Sequence, residues 1–443
     1  MKKRTIALAL LTAMTLAACG NNGTAAPEPG VNKQVDIPYK GSGNSQDLTK
    51  DITTLKAPDT AISSEQVSAL SVAGTKLFAD TVAAEDPHAN VLLSPISVAL
   101  AFGMVEGGAN GNTLSQMEAV IGGGNSADDM NSLLYNLSDR MKNAKDVNWN
   151  VANSLWFKDD GSWEIDPDFV SKAASWYDAQ LWKAPFDDTT VSDINGWVNS
   201  QTRGMIPGII NNIPDQARMY IINALAFEAE WLNEYIDTQI LEDQDFTNAD
   251  GSTTKVTMLC SGESKYFELN GAYGFLRDYK GREYSFMGLL PEEGTDLNDY
   301  IKELGDSGAD LSAAIRNIQY GDVVVQIPEF KNDYDVEMST VLQAMGMTDA
   351  FDREKADLTG MMKPVSGDDY QVWIDQVLHK THIEVDRKGT RAAAVTAVVV
   401  TEGCTSEEPY IPPIYVILDR PFIYGIIDNA TGLPVFLGCM NRM

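Results

Sequence analysis

The sequence predicts a mixed α+β fold, and three observations carry that expectation. Stretches rich in β-branched and aromatic residues, at 151–157, 221–231 and 323–330, read as strands. Other stretches carry helix signals. Ser63-Ser64-Glu65 has the residue types of a helix start, with Leu70, Val72, Leu77 and Phe78 as its apolar stripe. The third observation is a stretch that belongs to neither class. Residues 391–403 run for thirteen positions with no aromatic, no proline and nothing bulkier than valine except Arg391 and Glu402.

That stretch follows Gly389-Thr390 and is broken by Glu407-Glu408-Pro409. Ala392, Ala393 and Ala394 offer little volume, and Val398, Val399 and Val400 offer β-branched propensity. Laid into a sheet, its side chains would alternate between faces. Thr390, Ala392, Ala394, Thr396, Val398 and Val400 then share one face, and all are small or apolar. The opposite parity carries Arg391, and the same phase turns Arg387 outward. Such a segment is compatible with two states, an exposed loop and a buried strand.

The run from His379 to Asp386, followed by Gly389, Thr390, Arg391, Ala392, Ala393, Ala394, Val395 and Thr396, resembles the hinge and reactive-centre loop of a serpin. Small hinge residues imply an inhibitor, because bulky ones or proline block insertion. Further stretches match the family in order: Ser94-Pro95 opening a helix after a short strand, 151–157, 193–206, 221–231 ending at Trp231, 323–330, and the closing pair 419–438. The resemblance implies an α+β serpin fold with three β-sheets and about eight or nine helices. It covers a single domain at 63–443, with the exposed reactive-centre loop at about 387–412.

Before that domain, Met1-Lys2-Lys3-Arg4 and an apolar core too short to span read as a signal peptide over 1–18. The ending Leu16-Ala17-Ala18-Cys19-Gly20 resembles a bacterial lipobox, which makes Cys19 the lipidated residue and the membrane a partner through an anchor only. Residues 19–62, rich in Asn, Gly, Pro and Ser, read as a flexible tether. An exported protein on the cell envelope is the expectation. Its remaining cysteines, Cys260, Cys404 and Cys439, are odd in number and widely spaced, so a disulfide framework is not expected. The net charge of −30 argues against nucleic acid as a partner.

By resemblance, Ser94, Ser97, Asn223 and His379 meet under the main sheet, where it parts to admit the loop. Trp231 sits where insertion begins. A switching network and a merely satisfied buried one need the same contacts, so both readings stay open. His379 and His382 suggest no metal, since residues three apart in a strand face opposite sides and no ligand cluster supports them. Gly305-Asp306-Ser307-Gly308 copies a protease nucleophile signature, but its surroundings read as a turn between helices. No catalytic residue, cofactor motif or phosphate-binding loop is evident.

The implied mechanism is irreversible. A target serine protease attacks the loop and forms an acyl-enzyme, and the cut hinge inserts as a new central strand. The protease is carried to the far end and distorted before the ester hydrolyses, leaving a monomeric inhibitor in a one-to-one covalent complex. Counting from Gly389 places the cut bond at Gly403-Cys404 or Cys404-Thr405, whereas counting back from Pro421-Phe422 lands near Tyr410. The small residues before the first site suit elastase-like or subtilisin-like targets. Glutamate is usual in the family where Arg387 and Arg391 stand, so an ion pair at Arg387 is expected to be lost. The competing classes are a non-inhibitory serpin-fold surface binding protein and a lipid-anchored solute-binding or adhesion protein.

Overall fold

The computed structural model describes residues 39, 41–58, 62–365, 371–390 and 412–443. The positions expected to carry lipid (Cys19), the distal hinge (Arg391, Ala392, Ala393, Ala394, Val395, Thr396) and the cut bond (Gly403, Cys404, Thr405) lie outside them. The described residues belong to one compact unit. They hold nine α-helices and three sheets, of seven, nine and two strands, as the α+β expectation requires.

The first helix, Ser64–Ala84, starts where Ser63 predicts. The Ser63 hydroxyl accepts from the Gln66 N–H at 3.1 Å, and Gln66 answers by accepting the Ser63 N–H at 2.9 Å, which closes a capping box. Ser94 caps the next helix, Pro95–Glu106, by accepting the Ser97 N–H at 3.1 Å. Every residue of Pro95–Glu106 is buried, in keeping with a helix that is apolar nearly all round. It fills the space between the two large sheets, and its start lies directly beneath the seven-stranded one.

That sheet runs Gln46–Asp47, Gln180–Ala184, Val147–Lys158, Met219–Glu230, Gly389–Thr390, Gln376–Val385 and Phe330–Glu337. Its two inner strands explain its place in the core. Met219–Glu230 is buried along almost its whole length, and the apolar residues on its two faces feed two separate clusters. One face packs on Pro95–Glu106 and the other on the helix Asp188–Gln201 through Trp197 and Val198.

The tether expected over 19–62 ends sooner than its composition suggests. Gln46–Asp47 adds an antiparallel edge strand, with Gln46 opposite Lys183 and Asp47 opposite Trp182. Asp193, 2% exposed, accepts the Ser42 N–H at 2.6 Å, the Ser42 hydroxyl at 2.7 Å and the Ser45 hydroxyl at 2.6 Å. Tyr39 stands edge-on to Trp182 at 5.5 Å, and Trp176 donates to the Lys56 carbonyl at 3.1 Å. A buried carboxylate must find donors, and this serine-rich stretch supplies them. Tyr39 and residues 41–56 are therefore part of the folded body.

Candidate functional site

Two strands define the seam that matters. Gln376–Val385 pairs in parallel with Met219–Glu230 over seven positions, from Gln376 opposite Tyr220 to His382 opposite Ala226. Beyond them Gly389–Thr390 lies between the two strands, Gly389 opposite Glu230, Thr390 opposite both Ala229 and Val385. The main sheet is thus wedged open by two residues at one end and closed along the rest.

A tight turn makes the wedge. The Asp386 carboxylate accepts the N–H groups of Lys388 at 2.7 Å and Gly389 at 3.1 Å, and the Asp386 N–H donates to the Gly389 carbonyl at 2.9 Å. Burial pushes the Asp386 pKa up, and those two N–H donors oppose the shift. Gly389 is required by contact: a Cβ there would stand 2.0 Å from the Ala229 carbonyl oxygen.

Trp231 holds the turn from below. Its indole N–H donates to the Asp386 carbonyl and its backbone N–H to the Lys388 carbonyl, both at 2.9 Å. The ring stacks on Tyr279 at 4.6 Å, and the Tyr279 hydroxyl meets the Thr390 hydroxyl at 2.5 Å. Arg277 places its guanidinium 5.0 Å from the Trp231 ring and 4.1 Å from the Tyr235 ring. Thr390 is fully buried, on the face the parity of the sequence assigns to small residues. Core packing and hinge contact are therefore one role for Trp231, since the same ring does both.

Arg387 does not lose its ion pair, contrary to expectation. It stands 3.7 Å from Asp237 and 3.9 Å from Glu329, and its backbone N–H donates to Glu329 at 3.2 Å. Carboxylates occupy this corner, so an arginine suits it. At 45% side-chain exposure the pairing contributes well under about 1 kcal/mol.

Ser94, Ser97, Asn223 and His379 do meet, under the closed part of the seam. The Ser94 N–H donates to His379 Nε2 at 3.0 Å, so Nδ1 carries the proton and donates to Asn223 Oδ1. Asn223 Nδ2 contacts the Ser97 carbonyl at 3.0 Å, the Ser97 hydroxyl at 2.6 Å and Asn153 Oδ1 at 2.6 Å. Full burial pushes the His379 pKa down to about 3, which keeps the ring neutral. Asn153 is a fifth member that the sequence reading missed. Its signal was its place in the 151–157 strand, which sets it opposite Asn223 in the register. Tyr279, Arg277 and Asp386 were missed as well, the first two because they come from a strand and its end in the other large sheet.

The remaining sequence candidates separate. His382 contacts Asp333 at 2.5 Å and shares no partner with His379. Ser307 ends the helix Leu297–Ser307, its hydroxyl donating to the Leu304 carbonyl at 3.3 Å, with Gly308 in the left-handed cap at φ +66°. That is a helix stop, with the next helix, Leu311–Arg316, just beyond. Cys260 and Cys439 are free thiols, and burial pushes the Cys439 pKa up to about 12.

Comparison with known proteins agrees with this geometry. The human leukocyte elastase inhibitor is 28% identical over 394 residues, spanning 83% of this chain and 98% of its own. Iripin-8 of Ixodes ricinus is 29% identical over 373 residues, 80% of this chain and 88% of its own. Among solved structures, the thermophilic serpin tengpin in its native state is 37% identical with a TM-score of 0.82, covering 90% of this chain and all of that one. The latent state of the same protein gives 0.71, over 86% of this chain and 98% of that one. Sequence identity is 37% in both. A profile described as Serpin (serine protease inhibitor) matches residues 69–443, and the chain belongs to the serpin family.

Proposed function

We propose that the protein is an irreversible, suicide-substrate inhibitor of serine proteases of elastase-like or subtilisin-like specificity. The observation that carries this reading is the wedge. Gly389–Thr390 already occupies the place of a strand between Met219–Glu230 and Gln376–Val385, pointed at a seam of seven parallel pairs. Cleavage beyond it frees one end, and adding a strand pairs backbone groups and buries the small face of the hinge. The uncut protein is a kinetic trap, so its stability is a matter of rates. Ser94, Ser97, Asn223, Asn153 and His379 act as the latch on the seam, and Trp231 with Tyr279 seats the first hinge residues.

The cut falls at Gly403-Cys404 or Cys404-Thr405, and the partner is one protease molecule held covalently by a monomeric inhibitor without catalytic residues of its own. The name of a relative supports the target class, since the human protein compared above is called leukocyte elastase inhibitor. Cys19 carries a lipid anchor after removal of 1–18, and the protein works on a bacterial envelope. Titration of neutrophil elastase and of subtilisin on denaturing gels with mass spectrometry tests the reading. The expected result is an SDS-stable complex and a released peptide beginning at Cys404 or Thr405. Clean cleavage without a complex would overturn it. Metabolic labelling with palmitate, lost on Cys19→Ala, tests the anchor.

A further inference from the structure

The buried helix Pro95–Glu106 ends in a carboxyl group that nothing answers. Glu106 is 3% exposed, and both of its carboxyl oxygens are buried without a hydrogen-bond partner among the described residues. It stands where four helices converge, Pro95–Glu106 packing on Gly111–Val120, Ala127–Asn143 and Pro167–Tyr177. The junction is tight. A Cβ at Gly103, one turn before Glu106, would come within 2.5 Å of the Tyr177 ring, and one at Gly108 within 2.2 Å of the Met361 side chain.

The titratable groups that act on it are Glu118 and Tyr177. Glu118, from Gly111–Val120, is itself acidic and accepts the Ala127 N–H at 2.9 Å. Tyr177 closes Pro167–Tyr177, and its hydroxyl donates to Asn131. Asn131 and Leu134, the side chains that Ala127–Asn143 places at this junction, are neutral. An isolated charge is costly in such a site, so a buried carboxyl group without donors keeps its proton. Burial first, and the Glu118 charge second, push the Glu106 pKa up to about 8 from its ordinary 4.5. Between those values the folded chain holds a proton that the unfolded chain has released. The contribution of Glu106 to stability therefore falls as pH rises from about 4.5 to about 8, and levels off above.

We propose that Glu106 is a pH-sensitive switch in the native fold: protonated, it seals the junction of the four helices, and once ionised it drives the end of Pro95–Glu106 open toward water. The helix carries the change to its other end. It is one buried element of 12 residues, about 18 Å long. Its start supplies the Ser94 N–H to His379 and the Ser97 carbonyl and hydroxyl to Asn223. A side chain at the helix end thereby loads the polar network under the seam. The closed junction belongs to neutral solution and the open one to mildly alkaline solution. The switch stands whether or not the protein inhibits a protease.

Difference infrared spectroscopy of the full-length protein tests the protonation, and hydrogen exchange read by mass spectrometry tests the movement. A carboxyl C=O band should vanish between about pH 7 and about pH 9, and Glu106→Gln should lack it. Over the same range, exchange at 103–109, corrected for its intrinsic base dependence, should quicken about tenfold, with a smaller rise at 94–97. Glu106→Gln should hold both steady, and Glu118→Gln should move the change to lower pH. If Glu106→Gln does not fold, titration of the unmodified protein and of Glu118→Gln decides. No band lost in that range, or exchange that rises equally in Glu106→Gln, overturns the proposal. A rise confined to 103–109 overturns its coupling to the seam.

Discussion

Met219–Glu230 has a seam on each side, and the two differ in kind. Toward Val147–Lys158 it is antiparallel and continuous over eleven positions, from Val147 opposite Ala229 to Phe157 opposite Met219. Toward Gln376–Val385 it is parallel, seven positions long, and already parted at one end by Gly389–Thr390. Parallel ladders are slightly weaker per residue, so length and geometry both mark the second seam as the one that yields. Asn223 stands at the boundary. It donates across the strong seam to Asn153 and accepts across the weak one from His379. Under the proposed mechanism, one strand carries both a permanent joint and a provisional one.

The largest effect should come from blocking the provisional joint's new occupant. Ala394→Arg places a charge on the face that is buried after insertion, which costs several kcal/mol. Complex with elastase should fall at least tenfold on denaturing gels while cleavage continues. Next comes the residue shared by both seams. Asn223→Ala leaves His379, Ser97 and Asn153 without their partner and should cost about 3 kcal/mol, read as a lower thermal midpoint. Asn153→Ala, which touches the strong seam alone, should cost about half as much and leave the rate of loop insertion nearly unchanged.

Acidity tests the weak seam through His379. Its ordinary value of 6.5 is lowered to about 3 in the fold. Between those values the unfolded chain binds a proton that the folded chain refuses. Stability is therefore full above about pH 6.5 and declines as pH falls toward 3, by up to about 1.4 kcal/mol per unit. Denaturant midpoints at successive pH values should show this decline, and His379→Gln should flatten it. Arg387→Ala should matter least, within about 0.5 kcal/mol by the same measurement, because its carboxylate partners stand 3.7 and 3.9 Å away and Asp237 is fully exposed.

Much of this was legible in sequence because each local signal agreed with the fold. Ser63 and Ser94 were readable at helix starts, 305–308 as a turn between helices, and 221–231 as a strand ending at Trp231. Small side chains marked 391–403 in sequence, and of the hinge named by resemblance only Gly389 and Thr390 fall among the described residues. What escaped depends on register and on contacts between sheets. Asn153 acquires its role only when set opposite Asn223, and Tyr279 reaches Thr390 across 111 positions of chain. The polar stretch after Tyr39 looked like tether because its partner, the buried Asp193, lies about 150 positions away. Arg387 was misjudged for a similar reason, since Glu329 and Asp237 were not visible as its neighbours.

A reversible staple tests the difference between the seams most directly. Ala224 lies opposite Lys380 across the weak seam and opposite Ala152 across the strong one. Neighbouring strands bring such pairs within disulfide reach. Oxidised Ala224→Cys/Lys380→Cys should form no SDS-stable complex with elastase and should recover on reduction. Oxidised Ala224→Cys/Ala152→Cys should form complex as well as the unmodified protein. Full complex from the protein stapled across the weak seam would contradict the account.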